Sequence, residues 1–364
     1  MRILVAPVTI TPTKPIVPSH VKAFLWADLL LKATAQTTNI TCLWNPRTPN
    51  LSGQAIGFWE YLDRTYGHRN YSDLDELSIG RLYVEFHSHG EAIPYSALAP
   101  YVAKVEAEGW AHPATTRMVE LWSRQLADLG VLDPGLGDDR PLRWSVDRLV
   151  AELETQGLCL DHRTMGGPVY LDGTRWGVPL RTVISAAGHA NYVATALRDI
   201  LPHALESDHV LLVFDEEVGP DFILIAKLLQ HFGISTSRLA LGRVPVDGRT
   251  LSSRHGGWAG VSLSEIQTKA LAEFSESEYR LAMRIYFIST LGRASPASFS
   301  YQGLFRALKK ARRLLEQDHG ATTSVTEFIR PHITRSGWTD PYRLTTAVIS
   351  RPVPRAVIES LYIR

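Results

Sequence analysis

Three stretches of this sequence gather hydroxyls, cations and carboxylates of the kind that handle phosphates and amines. The first places Thr11, Thr13, Lys14, Ser19 and His20 ahead of or inside the first turn of a helical pattern. A helix start offers unpaired backbone N–H groups and a partial positive charge, which suits a phosphate. The same residues also read as an ordinary cap, Ser19, beside a surface histidine. No Walker A glycine pattern is present, so the stretch is not a P-loop. The second, FDEEVGPDF, sets Asp215, Glu216, Glu217 and Asp221 at the end of an apolar run. Carboxylates there accept ribose hydroxyls or hold a substrate ammonium; alternatively most of them face water, or cap a helix at Asp221. The third, VDGRTLSSRHGGWAG, combines Arg249, Thr250, Ser252, Ser253 and Arg254 with paired glycines. Guanidinium groups, hydroxyls and flexible backbone make a mobile phosphate clamp, and the same composition equally marks a solvated turn.

The elements that must position these loops follow from periodicity. RILVAPV (2–8) is a short apolar run, and Val21, Leu25, Leu29 and Ala33 form a helical stripe over about 19–36. NITCLWNP (39–46) then predicts a second strand, completing a βαβ unit and implying a parallel sheet. From about 50 to 165 the pattern is helical and amphipathic, and MGGPVYLDGTRWG predicts a hairpin or tight turn around Asp172-Gly173. DHVLLVFD is apolar throughout, as a buried parallel strand requires; DFILIAKLLQHFG is a helix ending at Gly233, and SRLALGRVPV returns to the sheet. The expectation is an α/β chain with a Rossmann-like parallel sheet split by a helical insertion. Residues 1–48 form its first half, 49–177 the insertion, 178–260 the second half, and 261–364 a shortened C-terminal helical domain. In an open α/β sheet ligands sit beyond the carboxyl ends of the strands at the switch point, so the loops at 9–20, 214–221 and 247–257 should converge.

The chain has 364 residues, 45% hydrophobic and 21% charged, with 38 basic residues against 37 acidic ones. That balance supplies no overall field to recruit DNA or an anionic membrane. Two cysteines, Cys42 and Cys159, build neither a disulfide framework nor a multi-thiolate metal site, which predicts a reducing, cytoplasmic setting. The start, MRILVAPVTI, lacks the layout of a signal peptide, and no apolar run approaches the roughly 18 residues a membrane helix needs. His87 and His89, with Glu91, do not share a helix face and read as a surface turn, so no metal site is expected. His189, in the small-residue segment SAAGHANY, either lines an amino-acid pocket or packs as a capping histidine. The basic run RALKKARR touches a phosphate backbone or forms a solvated face beside Leu304, Leu308 and Leu314, and its helical spacing favours the second.

The order of these loops resembles the class I aminoacyl-tRNA synthetases over about residues 2–315, with most likeness to the cysteinyl branch and its ligase paralogues such as the mycothiol cysteine ligase. Val17-Pro18-Ser19-His20 stands where that family has His-Ile-Gly-His, and Thr250 to Gly257 where it has Lys-Met-Ser-Lys-Ser-Leu-Gly-Asn. LADLGVLDP, LVAELETQGLCLD and GPVYLDG look like the segments that precede the second half-sheet in cysteinyl enzymes, and ESEYRLAMRIYFISTLGR like the helices that follow the second signature. The resemblance implies ATP, with Mg²⁺, held by Thr11, Val17, Ser19, His20, Asp215, Glu217, Thr250, Ser252, Ser253 and Arg254. It implies an amino acid at Val8, Thr9, His189 and Asp215, and catalysis by His20, Lys14 and Arg254.

The departures refine this. The first signature histidine is Val17 and its glycine is Ser19, while the signature lysines are Thr250 and Ser253, so positive charge must come from Arg249, Arg254 or Lys14. Val8 stands at a zinc-ligand cysteine position, which implies no zinc and an apolar side-chain pocket, suited to leucine or another aliphatic amino acid. A dedicated tRNA reader is reduced or absent. The expected function is an ATP-dependent amino-acid ligase that forms an aminoacyl adenylate and passes the acyl group to the amine of a small molecule, for example in antibiotic biosynthesis. The alternatives are a truncated synthetase or tRNA-dependent transferase, and a non-catalytic regulator that binds an amino acid or nucleotide.

Overall fold

In the computed structural model, which describes all residues except 8–9, 91, 251–255, 295–296 and 318–322, the first apolar run becomes strand β1 (Arg2–Pro7). Helix α1 (Pro18–Ala35) and β2 (Asn39–Cys42) follow, with β2 parallel to β1 and Val5 opposite Cys42. The second strand is shorter than its apolar run, because Asn45 and Pro46 turn the chain into the short helix α2 (Arg47–Asn50). The insertion is helical as its periodicity predicts: α3 (Gly53–Tyr66), α4 (Glu76–His89), α5 (Tyr95–Glu108), α6 (Pro113–Asp128) and α7 (Val146–Thr155). It ends in a small antiparallel sheet of β3 (Cys159–Asp161), β4 (Val169–Leu171) and β5 (Arg181–Ile184). The hairpin between β4 and β5 contains the turn expected at Asp172-Gly173. His87 and His89 lie in the last turn of α4 rather than in a surface turn.

The chain then re-enters the main sheet through α8 (Tyr192–Ala204), β6 (His209–Asp215), α9 (Gly219–His231) and β7 (Ser235–Leu241). The order is β2-β1-β6-β7, all parallel, so the direction of winding reverses between β1 and β6. Alternation along the strands divides two cores, as the two-residue side-chain period demands. Ile3 and Val5 of β1, with Leu211 and Val213 of β6, face a core shared with α1, α3 to α6 and the C-terminal helices. Leu4 and Ala6, with Val210, Leu212 and Phe214, face a second core with α7, α8 and α9. Both faces are covered, which is why these strands read as unbroken apolar runs.

The C-terminal region packs on the first core through α10 (Leu263–Leu271), α11 (Glu276–Arg284), α12 (Tyr301–Glu316), α13 (Val325–Ile329), α14 (Pro341–Ser350) and α15 (Arg355–Ile358). On α12, Leu304, Leu308 and Leu314 are buried and Arg306, Lys309 and Arg313 are exposed, as the spacing predicts, whereas Arg312 pairs with Glu278 of α11 at 2.6 Å. One polar lock joins α11 to α1. The guanidinium of Arg284, fully buried, donates to the Asp28 carboxylate and to the carbonyls of Leu129, Gly130 and Tyr362. Lys32 reaches the same carboxylate at 3.0 Å, and burial, then the neighbouring Arg284, lowers its pKa to about 8. No helix among the described residues is long and apolar enough to cross a membrane.

Candidate active site

The switch point between β1 and β6 opens into a cavity of about 720 Å³. The strand tips Pro7, Cys42, Asp215 and Leu241 all line it, so it spans the carboxyl edge of the whole sheet. Thr11, Lys14, Val17, Ser19, His20, His189, Asp215 and Glu217 line it as well, so the structure brings together eight of the residues singled out from the sequence. Val8, Thr9, Ser252, Ser253 and Arg254 lie outside the described residues.

The start of α1 faces this cavity. Val17, extended at φ −105° and ψ 166°, precedes the helix and Pro18 occupies its first position, where a missing N–H costs nothing. Ser19 is therefore inside the helix and does not cap it. Its hydroxyl oxygen instead accepts the Val244 N–H at 3.0 Å, tying the helix start to the segment beyond β7. His20 turns back on the same turn, its Nδ1 accepting the Val17 N–H at 3.5 Å, which leaves the proton on Nε2. Burial, with the positive Lys14 and Arg243 nearby, lowers its pKa to about 3. It is a neutral hydrogen-bond donor at physiological pH and a poor proton acceptor.

Lys14 is buried, and its ammonium lies 5.2 Å from the centre of the Tyr83 ring. Gln54 bridges the loop to the insertion by donating to Thr11 Oγ1 at 3.2 Å and to the Tyr83 hydroxyl. On the opposite wall Arg243 gathers the acids at the end of β6, with Nε 2.7 Å from Asp215 and Nη2 2.7 Å from Glu217. Asp215 also accepts the Glu217 N–H at 3.0 Å, capping the turn that follows the strand. Asp221 does not line the cavity: it pairs with Arg181 at 2.8 Å and accepts the Tyr192 hydroxyl. Beneath this wall the buried Lys22 ammonium donates to the carbonyls of Gly242 and Arg293, and burial lowers its pKa to about 8.

His189 stacks against the start of α3, where a Cβ on Gly53 would sit 3.0 Å from its ring. Its Nε2 is buried with no hydrogen-bond partner among the described residues, and burial lowers its pKa. The third loop begins as a tight hairpin, Val246 paired with Arg249 across Asp247 (φ 50°) and Gly248 (φ 75°). Positive φ at both central positions is what an Asp-Gly turn of this kind supplies. Arg249 and Thr250 are exposed there and do not line the cavity.

Sequence reasoning missed Arg243, Gln54, Thr48 and Trp44. Arg243 had a readable signal, being a cation two residues beyond an apolar strand in a sheet that binds ligands at that edge. The other three, Trp44 and Thr48 from the segment after β2 and Gln54 from the start of the insertion, are revealed only by tertiary packing. For a metal, the only carboxylates among the described residues that line the cavity at the strand tips are Asp215 and Glu217, beside Asp28, which is spent on Arg284 and Lys32. No group of three potential metal ligands occurs among the described residues. A phosphate-bound Mg²⁺ needs one or two carboxylates and otherwise keeps water, which Asp215 and Glu217 fit.

This sheet, its insertion and its helical C-terminal region make the fold that of the class I aminoacyl-tRNA synthetases. The arginyl-tRNA synthetase of Thermus thermophilus superimposes with a TM-score of 0.57 at 14% identity, covering 99% of this chain and 71% of that one. A putative arginyl-tRNA synthetase from Campylobacter jejuni aligns at 11% identity with a TM-score of 0.46, covering 100% and 92%. No protein-family profile and no curated sequence matches the chain.

Proposed function

We propose that this protein is an ATP-dependent amino-acid ligase that activates an aliphatic amino acid as its adenylate and transfers it to the amine of a small molecule. The observation that carries this reading is convergence. The start of α1, Lys14, neutral His20 and Arg243 meet in one cavity at the switch point of a synthetase-like fold. Helix geometry leaves the first backbone N–H groups of α1 unpaired, and with the Lys14 and Arg243 cations they suit a triphosphate. His20 Nε2–H adds a neutral donor. Stabilising the charge that builds up on a departing pyrophosphate is the catalytic contribution these groups make.

In the first step a carboxylate oxygen of the amino acid attacks the α-phosphorus of ATP, and pyrophosphate leaves. In the second, the acceptor amine attacks the acyl carbon; the C–N bond forms as the bond to AMP breaks, AMP leaves with the electron pair, and the amine's proton passes to water. Val8 stands where the cysteinyl branch has a zinc-ligand cysteine, which supports an apolar rather than a thiol substrate. The resemblance to the cysteinyl branch therefore extends, in this reading, to the layout of the loops and not to the amino acid.

A second reading, a binding protein without turnover, is favoured by one observation: the Ser19–Val244 hydrogen bond closes the gap between helix start and β7 where the family's glycine leaves room. Both readings meet in one assay. ATP–pyrophosphate exchange with Mg²⁺ and RNase-treated protein, run across the twenty amino acids, should show exchange with one aliphatic amino acid. Silence with all of them, together with thermal stabilisation by ATP or an amino acid, would replace the ligase with the binding protein.

A further inference from the structure

The cavity is longer than its nucleotide end requires. Ser19, Ala23, Ala27 and Leu31 line it at four-residue intervals, so it follows one face of α1. From Ser19 to Leu31 that face extends about 18 Å at 1.5 Å per residue. Across the sheet it reaches from Leu241 on β7 to Cys42 on β2, three strand spacings or about 14 Å. The two alanines make the trough, since larger side chains there would fill it.

The two ends differ in chemistry. Lys14, His20, Asp215, Glu217 and Arg243 crowd the β6–β7 end. At the β2 end the lining is Leu31, Cys42, Trp44, Val131, Leu132 and Pro134, and the only charged group in that wall among the described residues, Asp28, is consumed by Arg284, Lys32 and the Leu132 N–H at 2.8 Å.

We infer that the β2 end is a subsite for a second substrate: it takes an uncharged ring or branched chain, and holds the body of the amine acceptor in the reaction proposed above. The inference rests on that reading. The amino acid does not account for this end, because its carboxylate must lie at the phosphates beside the start of α1. No aliphatic side chain spans the remaining length of the trough. The apolar lining also sets the acceptor's orientation, with its ammonium turned away toward the charged centre.

The test is calorimetric titration of the full-length protein, without ATP, with tyramine, a primary amine with an aromatic body. Binding at one site with a negative heat-capacity change is expected. Ala27→Phe should raise Kd more than tenfold by filling the trough. Leu132→Arg, at a position 51% exposed where a polar side chain does not threaten folding, should weaken binding in the same direction. Unchanged affinity in the Ala27 and Leu132 variants overturns the inference, as does the absence of binding by tyramine, tryptamine and cyclohexylmethylamine alike. The underlying reading fails separately, by a lack of ATP–pyrophosphate exchange in the unmodified protein whatever its affinity for tyramine.

Discussion

Two arginine–carboxylate clusters in this chain use the same chemistry in opposite ways. Arg284 and Asp28 meet with both side chains fully buried, and the guanidinium also donates to main-chain carbonyls of two separate segments, at Leu129 and Gly130 and at Tyr362. Arg243 meets Asp215 and Glu217 at the rim of the cavity, with side-chain exposures of 37%, 27% and 56%. A buried pair whose guanidinium also holds main-chain carbonyls locks elements together, because releasing either partner strands a charge in low dielectric. A solvated pair adds little stability and is free to rearrange around a ligand. Burial, and not the presence of an ion pair, separates the scaffold from the working surface here.

The largest effect should follow from breaking the buried cluster. Asp28→Asn leaves Arg284 and Lys32 as two buried cations without a counter-charge and should lower unfolding free energy by about 3–5 kcal/mol, read from chemical denaturation. Next in size, Arg243→Ala should change stability by less than about 1 kcal/mol while ATP–pyrophosphate exchange falls about 100-fold. Equal losses of stability in the two variants would erase the contrast between the clusters.

His20 sharpens the comparison, because it lies in the cavity and yet behaves as a buried group. Its pKa in the folded protein, about 3, lies below the ordinary 6.5, so between those values the unfolded chain binds a proton that the native state refuses. Stability from this residue is complete above pH 6.5 and is lost as the pH falls toward 3. His20→Gln should flatten that part of the pH–stability curve by about 1–3 kcal/mol at pH 4, measured by thermal or urea unfolding. Curves that stay parallel from pH 7 to 4 would show that the imidazole is as solvated as the Arg243 cluster.

Much of the sheet was legible in the sequence because strands covered on both faces leave unbroken apolar runs, as in β1 and β6, and because α1 has a helical stripe. The hairpin turn around Asp172-Gly173 was equally local. What composition and spacing did not carry was partnership at long range. Asp28 and Arg284 are 256 positions apart, and nothing near either residue announces the other. Ser19 shows the same limit: its type and place suggest a helix cap, whereas the fold spends it on Val244, 225 positions away. At the site, the loops were found and their cross-links were not. Arg243 followed a readable strand end but lay outside the polar loop that drew attention, and nothing local marked Trp44 and Thr48 as lining the cavity.

Glu217 offers the finest test of the difference between the clusters. Its carboxylate makes one ion pair, to Nη2 of Arg243, and is more than half exposed, whereas Asp215 binds Nε of the same arginine and also caps the following turn. Water screens Glu217 on its open side and side-chain entropy opposes the pairing, so Glu217→Gln should alter stability by no more than about 0.5 kcal/mol. Asp215→Asn should cost more, up to about 1 kcal/mol, since a neutral amide oxygen is a weaker acceptor for both the cap and the guanidinium. The ranking, rather than either value, is decisive. Denaturation in low and high salt should shrink both losses while leaving the Asp28→Asn loss nearly unchanged, because mobile ions reach the rim and not the lock between α1 and α11. A Glu217→Gln loss as large and as salt-insensitive as that of Asp28→Asn would mean that the rim cluster, too, is part of the scaffold.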